Sequence, residues 1–89
     1  MSQEKWTAVD DYFEAHFIEA DPILADTLSA SEKAGLPAIN VAPNQGKLLM
    51  LMAQMQGAKS ILEIGTLGGY STTWLGRALP DDGKLISLE

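Results

Sequence analysis

The chain contains no cysteine, which excludes disulfides and thiolate metal sites within it. Its one histidine, His16, falls on a polar part of an amphipathic segment and reads as a surface residue. Basic residues are scarce, six Lys and Arg against twelve Asp and Glu, for a formal net charge of −6. They are scattered, which argues against binding of nucleic acid through a basic surface but not against a nucleic-acid substrate held by residues outside this chain. The acidity reads as an aid to solubility. Long apolar runs are also missing. The longest, Leu48 to Ala53, is far too short to cross a bilayer. The opening residues, Met1 to Thr7, are polar and not a signal stretch. The expectation is a soluble, cytoplasmic protein with no membrane contact.

What is present is enough for one small folded domain. Of 89 residues, 46% are apolar and 20% charged, a globular balance rather than a disordered one. From about Ser2 to Glu19, Trp6, Val9, Phe13, Phe17 and Ala20 recur at helical spacing and form one stripe. Trp6 and Phe13 read as anchors of a core or of an interface. Asp21-Pro22 restarts the chain: Asp21 suits an N-cap and Pro22 the first helical position. That second helix carries Ile23, Leu24 and Leu28 and stops at Gly35. Leu36 to Pro43 reads as an extended connector. Asn44 is the expected N-cap of a third helix, Gln45 to Gln56, with Leu48, Leu51, Met52 and Met55 on one face and Gly57 as its end.

The pattern then changes. Ser60 to Ile64 is a short strand-like run, followed by the loop Gly65-Thr66-Leu67-Gly68-Gly69 and a helix from about Tyr70 to Leu79. Pro80-Asp81-Asp82-Gly83 is turn chemistry, and Lys84 to Glu89 reads as a second strand. Strand, helix, strand is a βαβ unit with parallel strands and a right-handed crossover. The fold class is α/β, with N-terminal helices and connector over 1–57 and the βαβ unit over 58–89.

A loop leaving a strand and entering a helix offers free backbone N–H groups to a ligand. Two acids frame this one. Glu63 sits between Leu62 and Ile64, where a carboxylate is costly without a partner or an outlet to solvent. Glu89 ends the second strand, where an acid can accept from both hydroxyls of a ribose. The dinucleotide fingerprint G-x-G-x-x-G is broken by Leu67, and Glu63 adds negative charge beside the place a pyrophosphate would take. S-adenosylmethionine (SAM) has no phosphate. Its ammonium, carboxylate and ribose diol fit two acids and a row of N–H groups better.

Leu62-Glu63-Ile64-Gly65-Thr66-Leu67-Gly68-Gly69-Tyr70-Ser71-Thr72 resembles the first cofactor motif of the catechol and caffeoyl-CoA O-methyltransferase family. Its E-[IL]-G-x-x-x-G-Y-S pattern is far more specific than a glycine loop alone. Ile39 to Leu49 resembles the family's extended segment and following helix, and Pro80 to Glu89 its turn and second strand. The resemblance implies the first βαβ unit of a Rossmann-like class I methyltransferase sheet. It implies that Val41 meets the methionine portion through its backbone and that Glu63 lies beside the cofactor's amino-acid end. It further implies that Gly65 and Thr66 line the cofactor, that Ser71 hydrogen-bonds the methionine carboxylate, and that Glu89 holds the ribose. The implied reaction moves a methyl group from SAM to a hydroxyl oxygen of a small aromatic, catechol-like acceptor, assisted by a divalent metal such as Mg2+.

In that family the metal ligands and acceptor-activating residues lie beyond the second strand. This chain is therefore expected to be the N-terminal part of such an enzyme, inactive by itself, with no catalytic residue or metal ligand assignable. Some family branches methylate modified tRNA bases, which nothing in this sequence indicates, and a homodimer is common in the family. Two alternatives stand beside this reading: an NAD-type dinucleotide domain, and a non-catalytic interaction module derived from a methyltransferase.

Overall fold

The computed structural model describes residues 2–89. Four helices and two strands follow in the order α1 (Gln3–Phe17), α2 (Pro22–Lys33), α3 (Pro43–Met55), β1 (Ser60–Ile64), α4 (Tyr70–Gly76) and β2 (Lys84–Leu88). The strands are parallel neighbours, with Ser60 opposite Lys84 and Ile64 opposite Leu88. This is the expected α/β arrangement, with the βαβ unit closing the chain.

Side-chain chemistry explains most of the boundaries. Ser2 caps α1 by accepting from the Lys5 N–H at 3.3 Å. Asp21 caps α2 by accepting from the Ile23 and Leu24 N–H groups at 3.0 and 3.2 Å, with Pro22 in the first turn. The third helix starts earlier than the expected Asn44 cap. Pro43 is already helical and Ala42 is the N-cap, with the Gln45 side chain reaching back to accept from the Ala42 N–H at 3.1 Å. Asn44 is thereby free for a long-range role: its amide donates to Asp10 Oδ1 of α1 at 3.0 Å. The fourth helix ends at Gly76, short of the expected Leu79.

The core is small and centred on Leu24, Tyr70 and Trp74, with Ile18, Leu28, Val41 and Met50 packed around it. Gly46 decides how α3 meets it. A Cβ at Gly46 would run into the indole ring of Trp74, so α3 lies against α4 through a face of small residues, Gly46 and Ala53. The larger residues of α3, Leu48, Leu51, Met52 and Met55, do share a face, but it is the exposed one.

Two further apolar surfaces face outward. The first is the α1 stripe. Trp6, Val9, Phe13 and Phe17 are all exposed, and α1 buries no residue. The reading of Trp6 and Phe13 as core anchors is thus overturned among the described residues: both side chains are exposed, and the contact of α1 with α3 includes the polar pair Asn44 and Asp10. His16 is exposed as expected, though not isolated: its ring stacks on Tyr12 with centroids 4.2 Å apart. The second surface is one face of the sheet, where Leu62, Ile64, Ile86 and Leu88 are exposed, Ile64 by 82%. The opposite face, with Ile61, Glu63, Leu85 and Ser87, is the more buried one. Strands apolar on both faces are the pattern of a sheet covered on both sides.

Candidate functional site

The site is built where β1 gives way to α4. Pairing with β2 continues one step past β1, the Gly65 N–H donating to the Leu88 carbonyl at 2.6 Å. The parallel register therefore sets Glu89 beside the loop. One of its oxygens, Oε2, accepts from the Thr66 N–H at 2.7 Å and the Leu67 N–H at 2.8 Å. Two successive N–H groups aimed at one oxygen form a small anion-binding concavity. Leu67 sits at φ 50° to make this possible, a left-handed conformation that costs a non-glycine residue roughly 1–2 kcal/mol. In sequence Leu67 is merely a missing glycine. In the structure it takes the backbone shape that glycine usually supplies.

The loop is also closely covered. A Cβ at Gly68 would collide with the Ser31 hydroxyl of α2, so only glycine lets α2 lie this near. Gly69, at φ 88°, then turns the chain into α4. Ser71 follows in the first turn of α4.

Its hydroxyl goes to Glu63. Glu63 is only 9% exposed, and its carboxylate is met by hydroxyls. Ser71 donates to Oε2 at 2.6 Å, Ser87 donates to Oε1 at 2.7 Å, and Thr72 also donates to Oε1. Burial alone pushes the Glu63 pKa up, but the bonds from Ser71, Thr72 and Ser87 together outweigh it and hold the carboxyl below its ordinary value. The carboxylate that looked costly in the sequence is paid for by these three donors.

A cavity of about 250 Å³ opens between the loop, α2 and the connector before α3. Five of the six residues singled out from sequence line it: Val41, Gly65, Thr66, Ser71 and Glu89. Glu63 does not. It lies behind the wall and touches the cavity only through Ser71, whose single proton it already receives. Ser71 is thus the link between the Glu63 carboxylate and the cavity wall.

The rest of the wall, Leu28, Ser31, Pro37, Ile39, Asn40, Leu67, Gly68 and Tyr70, was not singled out as site residues from sequence. Tyr70 does two things at once, being 4% exposed in the core cluster and part of the cavity lining. Leu28 and Ser31 carry no local signal, since only the packing of α2 over the loop brings them there. Among the described residues, no three His, Cys, Asp or Glu side chains gather as a metal site.

Comparison with known proteins adds the following. The family described as O-methyltransferase matches residues 14–89. A catechol O-methyltransferase of Niastella koreensis is 53% identical across the whole of this chain, which spans 40% of that relative's length. The O-methyltransferase from Bacillus cereus, solved in complex with SAH, is 52% identical and superimposes with a TM-score of 0.92 over 97% of this chain and 39% of its own. The O-methyltransferase TomG from Streptomyces achromogenes, solved with SAM, is 47% identical with a TM-score of 0.87, over 98% of this chain and 39% of its own.

Proposed function

The chain belongs to the O-methyltransferase family, and from that premise we propose that it forms the SAM-binding part of an enzyme that methylates a hydroxyl oxygen. The carrying observation is Glu89. The strand register brings its carboxylate to the loop of the cavity, where Oε2 is held by two backbone N–H groups. That leaves Oε1 to accept from a ribose diol. Family membership sets aside the dinucleotide alternative, which Leu67 and Glu63 already disfavoured.

The residues present suit SAM in its parts. Glu89 would take the ribose. The backbone of Val41 and the loop at Gly65 and Thr66 would line the methionine portion, with Ser71 beside them. The cavity is smaller than the roughly 300–1,000 Å³ usual for ligand pockets, so the described residues would enclose only part of such a molecule. When bound, SAM would supply an electrophilic methyl group. The contribution of this chain is to hold and orient it: the Glu89 carboxylate would accept from the ribose hydroxyls, and the Thr66 and Leu67 N–H groups fix that carboxylate in place.

The acceptor is proposed to be a small hydroxylated aromatic, catechol-like as the name of the Niastella koreensis relative suggests. No three His, Cys, Asp or Glu side chains gather among the described residues, so a divalent metal such as Mg2+ would take its ligands from outside them. The exposed α1 stripe supports an interface role, as in a homodimer, and no helix among the described residues is long and apolar enough to cross a membrane.

The test is calorimetric titration of S-adenosylhomocysteine (SAH) into the product of the complete reading frame. Micromolar-range binding is expected, weakened by about tenfold or more in Glu89→Gln, which loses a charge-assisted acceptor. Absence of SAH binding, with binding of a nicotinamide dinucleotide instead, would overturn the proposal.

A further inference from the structure

Ser87 lies on β2, opposite Glu63 in the register, and does not line the cavity. Nothing in the sequence singles it out. Yet its hydroxyl joins two groups that matter. It donates to Glu63 Oε1 at 2.7 Å and lies 2.6 Å from the Thr66 hydroxyl.

The direction of this chain follows from counting protons. An ionised carboxylate only accepts, and a hydroxyl has one proton to give. The Ser87 proton goes to Glu63, so between Ser87 and Thr66 the donor must be Thr66. The bonds therefore run Thr66 to Ser87 to Glu63, all pointing at the buried charge. Ser71 and Thr72 converge on the same carboxylate from α4. The cluster ties together the loop, the start of α4 and both strands.

Thr66 is the residue whose N–H meets Glu89 Oε2 at 2.7 Å. Holding its side chain holds its backbone, and with it the strained Leu67 that follows. Resting on the SAM reading of the cavity, we propose that Ser87 is a positioning residue for the cofactor loop, acting through the hydroxyl chain from Thr66 to Glu63. It touches no ligand. It fixes the loop shape in which the Thr66 and Leu67 N–H groups hold Glu89.

The experiment compares SAH affinity with thermal stability in the product of the complete reading frame. Val and Thr have nearly the same shape, and only Thr keeps the hydroxyl. Ser87→Val is expected to weaken SAH binding about tenfold, the order of one hydrogen bond to a charged group, while Ser87→Thr binds within a factor of about two to three of the parent. Thr66→Val should weaken binding similarly, and the Ser87→Val/Thr66→Val double variant no further than either single one, because both cut the same chain. Should Ser87→Val fail to fold, Thr66→Val against Thr66→Ser gives the same comparison from the loop side. Parent-like affinity in Ser87→Val or Thr66→Val, or single effects that simply multiply, would overturn the inference while SAH still binds the parent. Failure of the parent to bind SAH would remove the SAM reading itself, and the inference with it.

Discussion

Gly46→Ala sets two well-known effects against each other, and the structure decides which wins. In a helix interior alanine is favoured over glycine by about 1 kcal/mol, so propensity alone would make the variant more stable. Gly46, however, is buried against the ring of Trp74, and an added Cβ would lie 2.8 Å from Trp74 Cγ and nearer still to two other ring atoms. Carbon atoms prefer separations of roughly 3.5–4.0 Å, so the indole must retreat by about 1 Å. It cannot swing away freely, because it is 6% exposed and packed in the cluster with Leu24 and Tyr70. Overpacking of this kind typically costs about 1–3 kcal/mol, and a rigid buried ring places it in the upper half of that range. Net destabilisation of about 1–2 kcal/mol is expected. Urea unfolding of the complete reading-frame product, followed by tryptophan fluorescence, measures it. Trp74→Phe removes the crowded pyrrole edge, so Gly46→Ala should do less harm in that background. A Gly46→Ala variant as stable as the parent, or more so, would refute the close approach of α3 to α4.

Three further outcomes follow from the geometry. Asp21 accepts from the Arg77 guanidinium as well as from the α2 N–H groups, and these hold its pKa down to about 2. A depressed carboxylate stabilises the fold above its unfolded pKa of about 3.8 and loses that contribution as pH falls toward 2. Acid titration of Asp21→Asn should therefore lack a component of the parent's stability loss in that window, and identical profiles would count against the pair. Glu63 is likewise held below its ordinary 4.5, so its contribution is present above that pH and lost below it. Glu63→Gln should flatten the acid limb and lower stability near neutrality, read by thermal melting at pH 7 and pH 4. Finally, the 89-residue chain alone exposes Leu62, Ile64, Ile86 and Leu88 on one sheet face. It should bind an apolar dye and melt broadly, and a sharp cooperative melt without dye binding would argue that this face is covered.

Much of the fold could be read from local chemistry. Asp21-Pro22 marks a helix start because an acid side chain and a fixed φ act within three residues. Ser60 to Ile64 and Lys84 to Leu88 are strands because short apolar runs are bounded by turn residues. The start of α3 misled because Asn44 is a good cap by type, while Pro43 was already suited to the first turn and Asn44 was needed by Asp10. The apolar stripe of α1 misled differently. Periodicity shows that a face is apolar but does not say what covers it, and here α3 does not.

The division at the site has the same cause. Sequence by itself determined the loop, its two acids and the family resemblance, because these lie in contiguous residues whose spacing is set by the backbone. Five of the six residues it singled out line one cavity. Tertiary structure alone decided that Glu63 stands behind the wall, that three hydroxyls neutralise its burial, that Leu67 bears a left-handed conformation, and that Leu28 and Ser31 close the cavity from α2. Each of these depends on atoms distant in the chain arriving within hydrogen-bond or van der Waals reach. Strand register and helix packing set those distances, and residue order carries no mark of them.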